Sequence, residues 1–298
     1  MTRSFAAALL RLALKLTLLA GGTAALADAP PDGQKAWDEA AKVAQSGPTD
    51  IKLLDKAVLK LPEGRVFIPN PQATKLLQAM GNPGEDPRLQ GLVFPKGEEQ
   101  GWFMTVRYED SGHIKDDDAK EWNADDLLKS FKEGTEESNE ERAKMGVPAL
   151  EIIGWAEKPA YEASTHRLVW AMSSREKGST DTDDQGVNYN TYLLGREGYF
   201  SMNLVTGLKD LPAHKPDGQA MLAALNFNEG QRYGDFNEKT DHLAEYGLAA
   251  LVLGVGAKKL GLLAAAGLFF AKFAKLIILG GIGGLAAIGK LFGRKKQA

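Results

Sequence analysis

The sequence predicts an α+β domain with a mainly antiparallel sheet and two to three packing helices, followed by a C-terminal transmembrane helix region. Short apolar runs separated by turn residues follow one another with few helices between them, especially after residue 148. A doubly wound parallel sheet needs a helix after nearly every strand, so this order favours antiparallel strands. The region 246–298 has no acidic residue and is rich in Leu, Ala, Gly, Ile and Phe, which is typical of a membrane-embedded segment.

Hydrophobic periodicity, turn residues and capping signals predict the elements in chain order. The predicted strands are Ile51–Leu61, Val66–Ile68, Leu89–Phe94, Trp102–Tyr108, Leu150–Trp155, Arg167–Ser173, Val187–Arg196 and Gly198–Val205. The predicted helices are 32–47, 70–81, 123–145 and 218–225. Asn70 and Asn123 are predicted N-caps, because a short polar side chain accepts hydrogen bonds from the first free backbone N–H groups. The second half of the third helix, Glu133–Lys144, is polar throughout and is predicted to face solvent.

The end of the tail, residues 272–298, predicts a transmembrane helix. Counted from Phe273 to Phe292, it reaches the roughly 20 residues that span a bilayer, if the flanking lysines extend to opposite interfaces. A single crossing leaves the basic terminus on the cytoplasmic side, as the positive-inside rule requires. The charged residues predicted at the membrane interfaces are Lys275, Lys290, Arg294, Lys295 and Lys296.

The preceding segment, 246–271, is apolar except for Lys258 and Lys259 at its middle. Each lysine at the centre of a membrane costs about 2.5–3.5 kcal/mol, which disfavours a straight crossing. We therefore predict an interfacial helix here, and a second membrane helix is the alternative.

The first residues predict export. Arg3 precedes the apolar run Phe5–Leu19, and Ala25-Leu26-Ala27 matches a small-x-small cleavage site. Residues 1–27 are therefore predicted to be a signal peptide, with an uncleaved signal anchor as the alternative. The segment 28–245 is then a domain facing the periplasm, on a protein of the bacterial inner membrane.

The charge of the chain is distributed unevenly. All 39 acidic residues lie in the segment 28–245 together with 25 of the 36 basic residues, a net charge of about −14. So acidic a surface argues against nucleic acid as a partner and against a domain lying flat on anionic lipid. The chain has no cysteine, which excludes disulfides, a lipoprotein anchor and thiolate metal sites.

The triple aspartate Asp116-Asp117-Asp118 is the first candidate site. Carboxylate oxygens are the ligands that Ca²⁺ and Mg²⁺ prefer, so Asp116 and Asp118 are candidate metal ligands, and no other cofactor is expected. Consecutive side chains on a strand point to opposite faces, so only these two converge. The alternative is a structural role, in which the aspartates are solvated or cap a helix.

Two arginines and an asparagine are the other candidates. Asn139 and Arg142 lie one helical turn apart, and Arg196 ends a predicted strand. Each arginine is predicted either to hold an anionic ligand or to pair with Asp118 within the fold. The four histidines are scattered, and no catalytic or phosphate-binding motif occurs.

Several strings along the chain belong together. They are Gly112–Ala119, Asn139-x-x-Arg142-x-x-x-Gly146-x-Pro148, Gly154-Trp155 with Pro159-x-Tyr161, Leu168–Ala171, Val187–Tyr189, Leu194–Arg196, Gly230-x-x-Tyr233, and Asp241 with Tyr246–Ala250. In these strings the chain resembles the uncharacterised membrane-anchored bacterial proteins grouped as domain of unknown function 2167. The resemblance implies a topology but no activity and no site residue. The order of the elements is also similar to that of the PsbP/Mog1-like α/β sandwich.

These observations predict a membrane-anchored envelope protein whose periplasmic domain binds another membrane or envelope protein, as an adaptor or accessory subunit. The alternative from another class is a divalent-metal-dependent hydrolase that uses the acidic cluster Asp116–Asp118. A third hypothesis is a ligand sensor that signals through the tail.

Overall fold

An eight-stranded antiparallel sheet is the framework of the domain. In this computed structural model the chain is described at residues 31–80, 82, 85–96, 101–120, 122–144, 148–180 and 185–253. The strands are β1 (Gln45–Ser46), β2 (Thr49–Leu53), β3 (Ala57–Leu61), β4 (Arg65–Pro69), β5 (Leu89–Pro95), β6 (Phe103–Glu109), β7 (Leu150–Glu162), β8 (Arg167–Glu176), β9 (Gly186–Leu194), β10 (Tyr199–Gly207) and β11 (Leu225–Phe227). The large sheet has the order β1-β4-β5-β6-β10-β9-β8-β7, and a small sheet has the order β11-β3-β2. The predicted α+β class with a mainly antiparallel sheet is confirmed.

Five α-helices accompany the sheets in the described part of the chain. They are α1 (Pro31–Val43), α2 (Gln72–Ala79), α3 (Ala124–Lys144), α4 (Leu211–Ala224) and α5 (Leu248–Val252), with short 3₁₀ turns at Asp117–Lys120 and Tyr233–Asp235. Of the helices within the described ranges, none combines the length and the apolarity that a membrane crossing requires. The predicted signal peptide and the predicted transmembrane helix 272–298 both lie outside these ranges.

One face of the large sheet packs against the small sheet and α4. Trp102, Met104, Val106 and Tyr108 all belong to this core, which confirms the predicted alternation along β6. Leu59 of β3 lies in the same cluster and is fully buried. Each large apolar side chain buried in this way contributes about 1.5–3 kcal/mol. This core holds α4 across β9 and β10.

The opposite face of the large sheet carries two separate helical layers. Helices α1 and α2 cover β4 and β5, where Leu76 and Phe94 are fully buried. Helix α3 covers β7, and the ring centroid of Phe131 lies 5.7 Å from that of Trp155 and 5.5 Å from that of Trp170. The large sheet is therefore covered on both faces.

Two predicted elements near the start of the domain differ from the structure. The predicted strand Ile51–Leu61 is a hairpin of β2 and β3, whose turn holds Leu54 at a φ of 54°. This left-handed conformation is rare for leucine, and no glycine in the sequence marks the turn. Asn70 does not cap α2, because its Oδ1 instead accepts a hydrogen bond from Thr74 Oγ1 at 2.8 Å, and Pro71, after a cis peptide bond, takes the N-cap position.

Helix α3 begins as predicted but buries more of its length. The backbone N–H of Asp125 donates a hydrogen bond of 2.8 Å to Asn123 Oδ1, which confirms the predicted N-cap. The prediction that Glu133–Lys144 faces solvent is wrong for one side of the helix. Three polar residues there are buried: Thr135, Ser138 and Arg142. They follow Phe131 at helical spacing on the same buried side of α3. This buried side is therefore apolar near the start of the helix and polar near its end.

The described end of the chain belongs to the core of the domain. Leu248 and Val252 of α5 are fully buried, and Leu251 is 2 % exposed, in a cluster that includes Tyr192 of β9. The sequence analysis assigned everything after residue 245 to the membrane or its interface. The structure instead places Leu248–Leu253 in the domain, so the boundary at 245 is too early.

Candidate functional site

Asp117 and Asp118 begin a 3₁₀ turn and Asp116 directly precedes it, so the triple aspartate is not part of a strand. Asp116 and Asp118 have different hydrogen-bond partners. Asp118 accepts hydrogen bonds from the backbone N–H groups of Leu248 and Ala249, both at 3.0 Å, and so caps α5. Gly247 permits this approach, because a Cβ there would lie 2.5 Å from Asp118 Oδ2. Asp116 instead accepts a hydrogen bond of 2.7 Å from the Tyr161 hydroxyl.

The metal hypothesis for Asp116 and Asp118 gains no support from this geometry. Both carboxylates are engaged with the protein, and Asp117 between them is exposed. Within the described residues no group of three or more His, Cys, Asp or Glu side chains is placed to hold a metal ion. The chemistry of this turn is that of an anchor for α5 and for the loop that precedes it.

Two histidines, which the sequence leaves unconnected, lie in one stack beside Asp116. The ring centroid of Tyr233 lies 4.3 Å from that of His113 and 3.9 Å from that of His166, and Phe236 covers the other side of His113 at 4.0 Å. Burial lowers the pKa of His166, although the charge of Asp116 opposes this. Burial likewise lowers the pKa of His113. The neutral imidazoles act here as flat packing surfaces.

The predicted anion-binding residues have structural partners. Arg196 forms a two-point ion pair with Asp241, with Nε–Oδ2 at 2.6 Å and Nη2–Oδ1 at 2.7 Å. Arg142 donates from Nε to the Pro148 carbonyl at 2.8 Å, and burial lowers its pKa to about 10. The predicted pairing of either arginine with Asp118 is therefore wrong, because each finds another acceptor.

Asn139 fixes the strand that follows α3. Its Nδ2 donates to the Leu150 carbonyl at 2.9 Å, and its Oδ1 accepts from the Leu150 backbone N–H at 2.8 Å. These two hydrogen bonds resemble the pairing between neighbouring β-strands, and they hold the start of β7 beside the end of α3. Asn139 and Arg142 thus both hold the connection to β7, and the buried Nη1 of Arg142 has no hydrogen-bond partner among the described residues.

A groove lies between α4 and the β7–β8–β9 part of the large sheet, and we call it the α4 groove. Its volume is about 410 Å³, within the usual range for small-molecule sites. Its apolar walls are Ala160, Val169, Leu222 and Ala223. Tyr161 also lines it, so the groove is the neighbour of the aspartate turn to which Tyr161 is hydrogen-bonded.

The polar groups of the α4 groove are mostly donors. Arg167 lies at the C-terminal end of α4, with Nη2 at 3.5 Å from the carbonyls of Leu222 and Leu225, and its buried Nε has no hydrogen-bond partner. The hydroxyl of Tyr189 is also buried, and it lies near Gln219 without a well-formed hydrogen bond. Burial raises the pKa of Tyr189 to about 12, so this hydroxyl keeps its proton.

Membership of a protein family follows from the sequence as a whole. The chain matches the family described as "Protein of unknown function (DUF2167)" over residues 45–283, which is most of its length. The chain belongs to this family. The resemblance stated from the short strings is thereby confirmed. No curated protein shows significant sequence similarity to this DUF2167 member.

Two solved structures are similar to this DUF2167 domain at low scores. One is the solution structure of cyanobacterial PsbP (CyanoP) from Synechocystis sp. PCC 6803, with 11 % identity and a TM-score of 0.37, covering 70 % of this chain and 98 % of that one. The other is the protein of unknown function PA94 from Pseudomonas aeruginosa, with 14 % identity and a TM-score of 0.22, covering 58 % of this chain and 93 % of that one. A PsbP protein is thus among the structural neighbours, but TM-scores this low support no inference about function.

Sequence reasoning missed the residues of the α4 groove. Arg167 is the first residue of a strand and Gln219 is an exposed residue of α4, which are ordinary positions for polar surface residues. The sequence feature nearest to the groove is the polar segment Glu162–Arg167, which lies next to an alternating strand. This feature indicates a hairpin but does not indicate a binding site. Only the crossing of α4 over β9 brings Tyr189 and Gln219 together.

Asp117 and Asp118 are expected to differ when each is changed to alanine. Asp118→Ala should lower the free energy of unfolding by about 1–2 kcal/mol, because α5 loses its cap. Asp117→Ala should change it by less than about 0.5 kcal/mol, because this side chain is exposed. Asp118→Asn should be milder than Asp118→Ala, since asparagine also caps helices. Urea denaturation measures all three. Equal, negligible effects on stability together with lost cellular function would restore the metal hypothesis.

Proposed function

We propose that this DUF2167 protein is a membrane-anchored binding domain of the bacterial envelope, exported by residues 1–27 and held at the inner membrane by its C-terminal tail. The observation that carries the proposal is the seating of α5. The apolar side chains of α5 lie in the core, and Asp118 caps this helix. The rest of the apolar segment 246–271 and the predicted transmembrane helix 272–298 follow it in the sequence. A tail that leaves the domain from a packed helix presents the domain in a defined orientation.

Binding, rather than catalysis, is the work that the described geometry favours. The candidate catalytic carboxylates are used to hold the fold, whereas the α4 groove offers unpaired hydrogen-bond donors between apolar walls. The charge of about −14 on residues 28–245 favours a partner that is a protein of the envelope over nucleic acid. The rival hydrolase hypothesis has no supporting observation among the described residues.

Reporter fusions test the topology on which the proposal depends. A reporter that is active only in the periplasm should be active when fused after Leu253, and inactive when fused after Ala298. The reason is the charge asymmetry of the tail, which places its basic end in the cytoplasm. Activity at both positions would mean two crossings or none. Crosslinking of the full-length protein in intact membranes should then capture an envelope protein, and a failure to capture any would contradict the adaptor role.

A further inference from the structure

We propose that the α4 groove binds the carboxylate group of a ligand that has a short aliphatic body. This inference rests on the proposed binding function and specifies the chemistry that the groove recognises. The observations behind it are the unpaired donors at one side of the groove and the small aliphatic walls at the other.

Arg167 supplies the charge that selects an anion. Its Nη2 lies 3.5 Å from the last carbonyls of α4, which holds the guanidinium in place, while the buried Nε–H has no acceptor. A buried N–H without an acceptor is unfavourable, so an acceptor atom of a ligand would be stabilised at this position. Guanidinium groups present a planar set of donors that matches a carboxylate.

One acidic residue, Glu162, lines the groove, but its carboxylate is engaged with its own loop. It accepts hydrogen bonds from Thr165 Oγ1 at 2.7 Å and from Ser164 Oγ at 3.2 Å, and these bonds, with the nearby charge of Arg167, lower its pKa. Glu157 pairs with Lys215 at 2.7 Å. In the part of the chain that the structure describes, Arg167 has backbone carbonyls as hydrogen-bond partners and forms no ion pair, although Glu162 is close enough for the two charges to interact.

Tyr189 and Gln219 extend the donor set. The phenol of Tyr189 is fully buried, and its raised pKa keeps it a donor at neutral pH. The amide of Gln219 lies at the exposed rim of the same groove. Several donors around one space favour an acceptor-only group, which a carboxylate is.

The walls set the size of the rest of the ligand. Ala160 and Ala223 are short, and Val169 and Leu222 are branched, so these four residues form an aliphatic surface; the aromatic residues of the lining are Tyr161 and Tyr189. A volume of about 410 Å³ holds a body of a few carbon atoms beside the carboxylate. Two sources offer this chemistry: a free branched-chain carboxylic acid and the C-terminal residue of a peptide.

Ligand-detected NMR on the full-length protein in detergent micelles tests the proposal with three probes. N-acetyl-leucine mimics a peptide C-terminus, 4-methylpentanoate is a free acid with the same body, and N-acetyl-leucinamide lacks the carboxylate. We expect both acids to bind with a dissociation constant on the order of 1 mM, and the amide to bind about tenfold more weakly. Tighter binding of N-acetyl-leucine would identify the peptide source, and tighter binding of 4-methylpentanoate the free acid. Equal binding of the amide, or no binding of either acid, would overturn the proposal.

Variants assign the binding to the groove. Arg167→Gln should weaken binding of both acids about tenfold or more, and Tyr189→Phe, which removes one oxygen atom, should weaken it roughly threefold. Arg175→Gln is the matched control, since Arg175 lies on the same strand β8 but pairs with Glu151, and it should leave binding unchanged. Unchanged binding in both Arg167→Gln and Tyr189→Phe would contradict the assignment. If the acids fail to bind while membrane crosslinking still captures a partner, this inference fails and the adaptor function stands.

Discussion

Ending the protein after residue 245, instead of after Leu253, will abolish its stable fold. The removed residues include Leu248, Leu251 and Val252, all of which are buried against the α3 layer and β9. Burial of such side chains contributes about 1.5–3 kcal/mol each, so the loss is on the order of 5–10 kcal/mol. This is comparable to the roughly 5–15 kcal/mol that stabilises a whole domain. The shorter protein should elute as aggregates from gel filtration and show no cooperative thermal transition.

Point variants separate this effect from the mere shortening of the chain. Leu248→Ala should cost about 2–5 kcal/mol, because it leaves a cavity in the core. Leu243→Ala is the control from the same segment, since its side chain is 38 % exposed, and it should cost less than about 0.5 kcal/mol. A protein ending at residue 245 that melts at the same temperature as one ending at Leu253 would show that α5 is dispensable.

The misplaced boundary has a physical reason. An apolar helix that packs on a sheet and an apolar helix that lies in a membrane contain the same types of residue. Composition alone therefore does not show where the domain ends and the membrane segment begins. The acidic residues stop at Glu245, and this was the only marker in the sequence. Helix α5 is tied to the domain by the hydrogen bond from the Leu248 backbone N–H to Asp118, a residue 130 positions earlier in the chain.

The strands were predictable because the sheet is antiparallel and covered on both faces. Each predicted strand from Leu89 onward coincides with an observed strand; most ends differ by no more than about three residues, but the strand predicted as Leu150–Trp155 continues to Glu162. Helix α4 was predicted as Gly218–Leu225 but begins at Leu211. Pro212 and Pro216 indicated a break, whereas Pro212 lies in the first turn, where its missing N–H leaves no hydrogen bond unmade.

The partners of the charged residues were not predictable from spacing. Arg196 pairs with Asp241, 45 residues away, and Asp116 is bonded to Tyr161 at the same separation. Such pairs depend on which loops the strand order brings to one end of the sheet. From the sequence, Arg142 or Arg196 is predicted to pair with Asp118, and neither pair forms.

Asp86 is expected to be the most sensitive single carboxylate of the domain. It accepts hydrogen bonds from Arg107 Nε at 2.9 Å and from Arg88 Nε at 2.8 Å. Arg107 also bonds to Thr105 and is only 8 % exposed. Because Arg107 is so deeply buried, removal of the Asp86 carboxylate that pairs with it is costly. The isosteric change Asp86→Asn should therefore lower the free energy of unfolding by about 3–5 kcal/mol.

The same group predicts how stability depends on pH. Burial by itself would raise the pKa of Asp86, but the hydrogen bonds and charges of Arg88 and Arg107 outweigh it and hold this pKa well below 3.8. A carboxylate with a lowered folded-state pKa stabilises the fold above its unfolded pKa, and this contribution is lost as the pH falls towards the folded value. The melting temperature of the wild type should thus fall more steeply below about pH 4 than that of Asp86→Asn.

Glu109 provides the matched control for Asp86. It pairs with Arg88 at 2.9 Å, but both side chains are partly exposed, so Glu109→Gln should cost no more than about 1 kcal/mol. The double variant Asp86→Asn with Arg107→Met should recover most of the stability lost in Asp86→Asn. The second change removes the buried charge of Arg107 and keeps an apolar side chain of similar length. Urea denaturation of the four proteins completes the comparison. Equal losses for Asp86→Asn and Glu109→Gln would mean that burial of Arg107 does not govern the energy of this network.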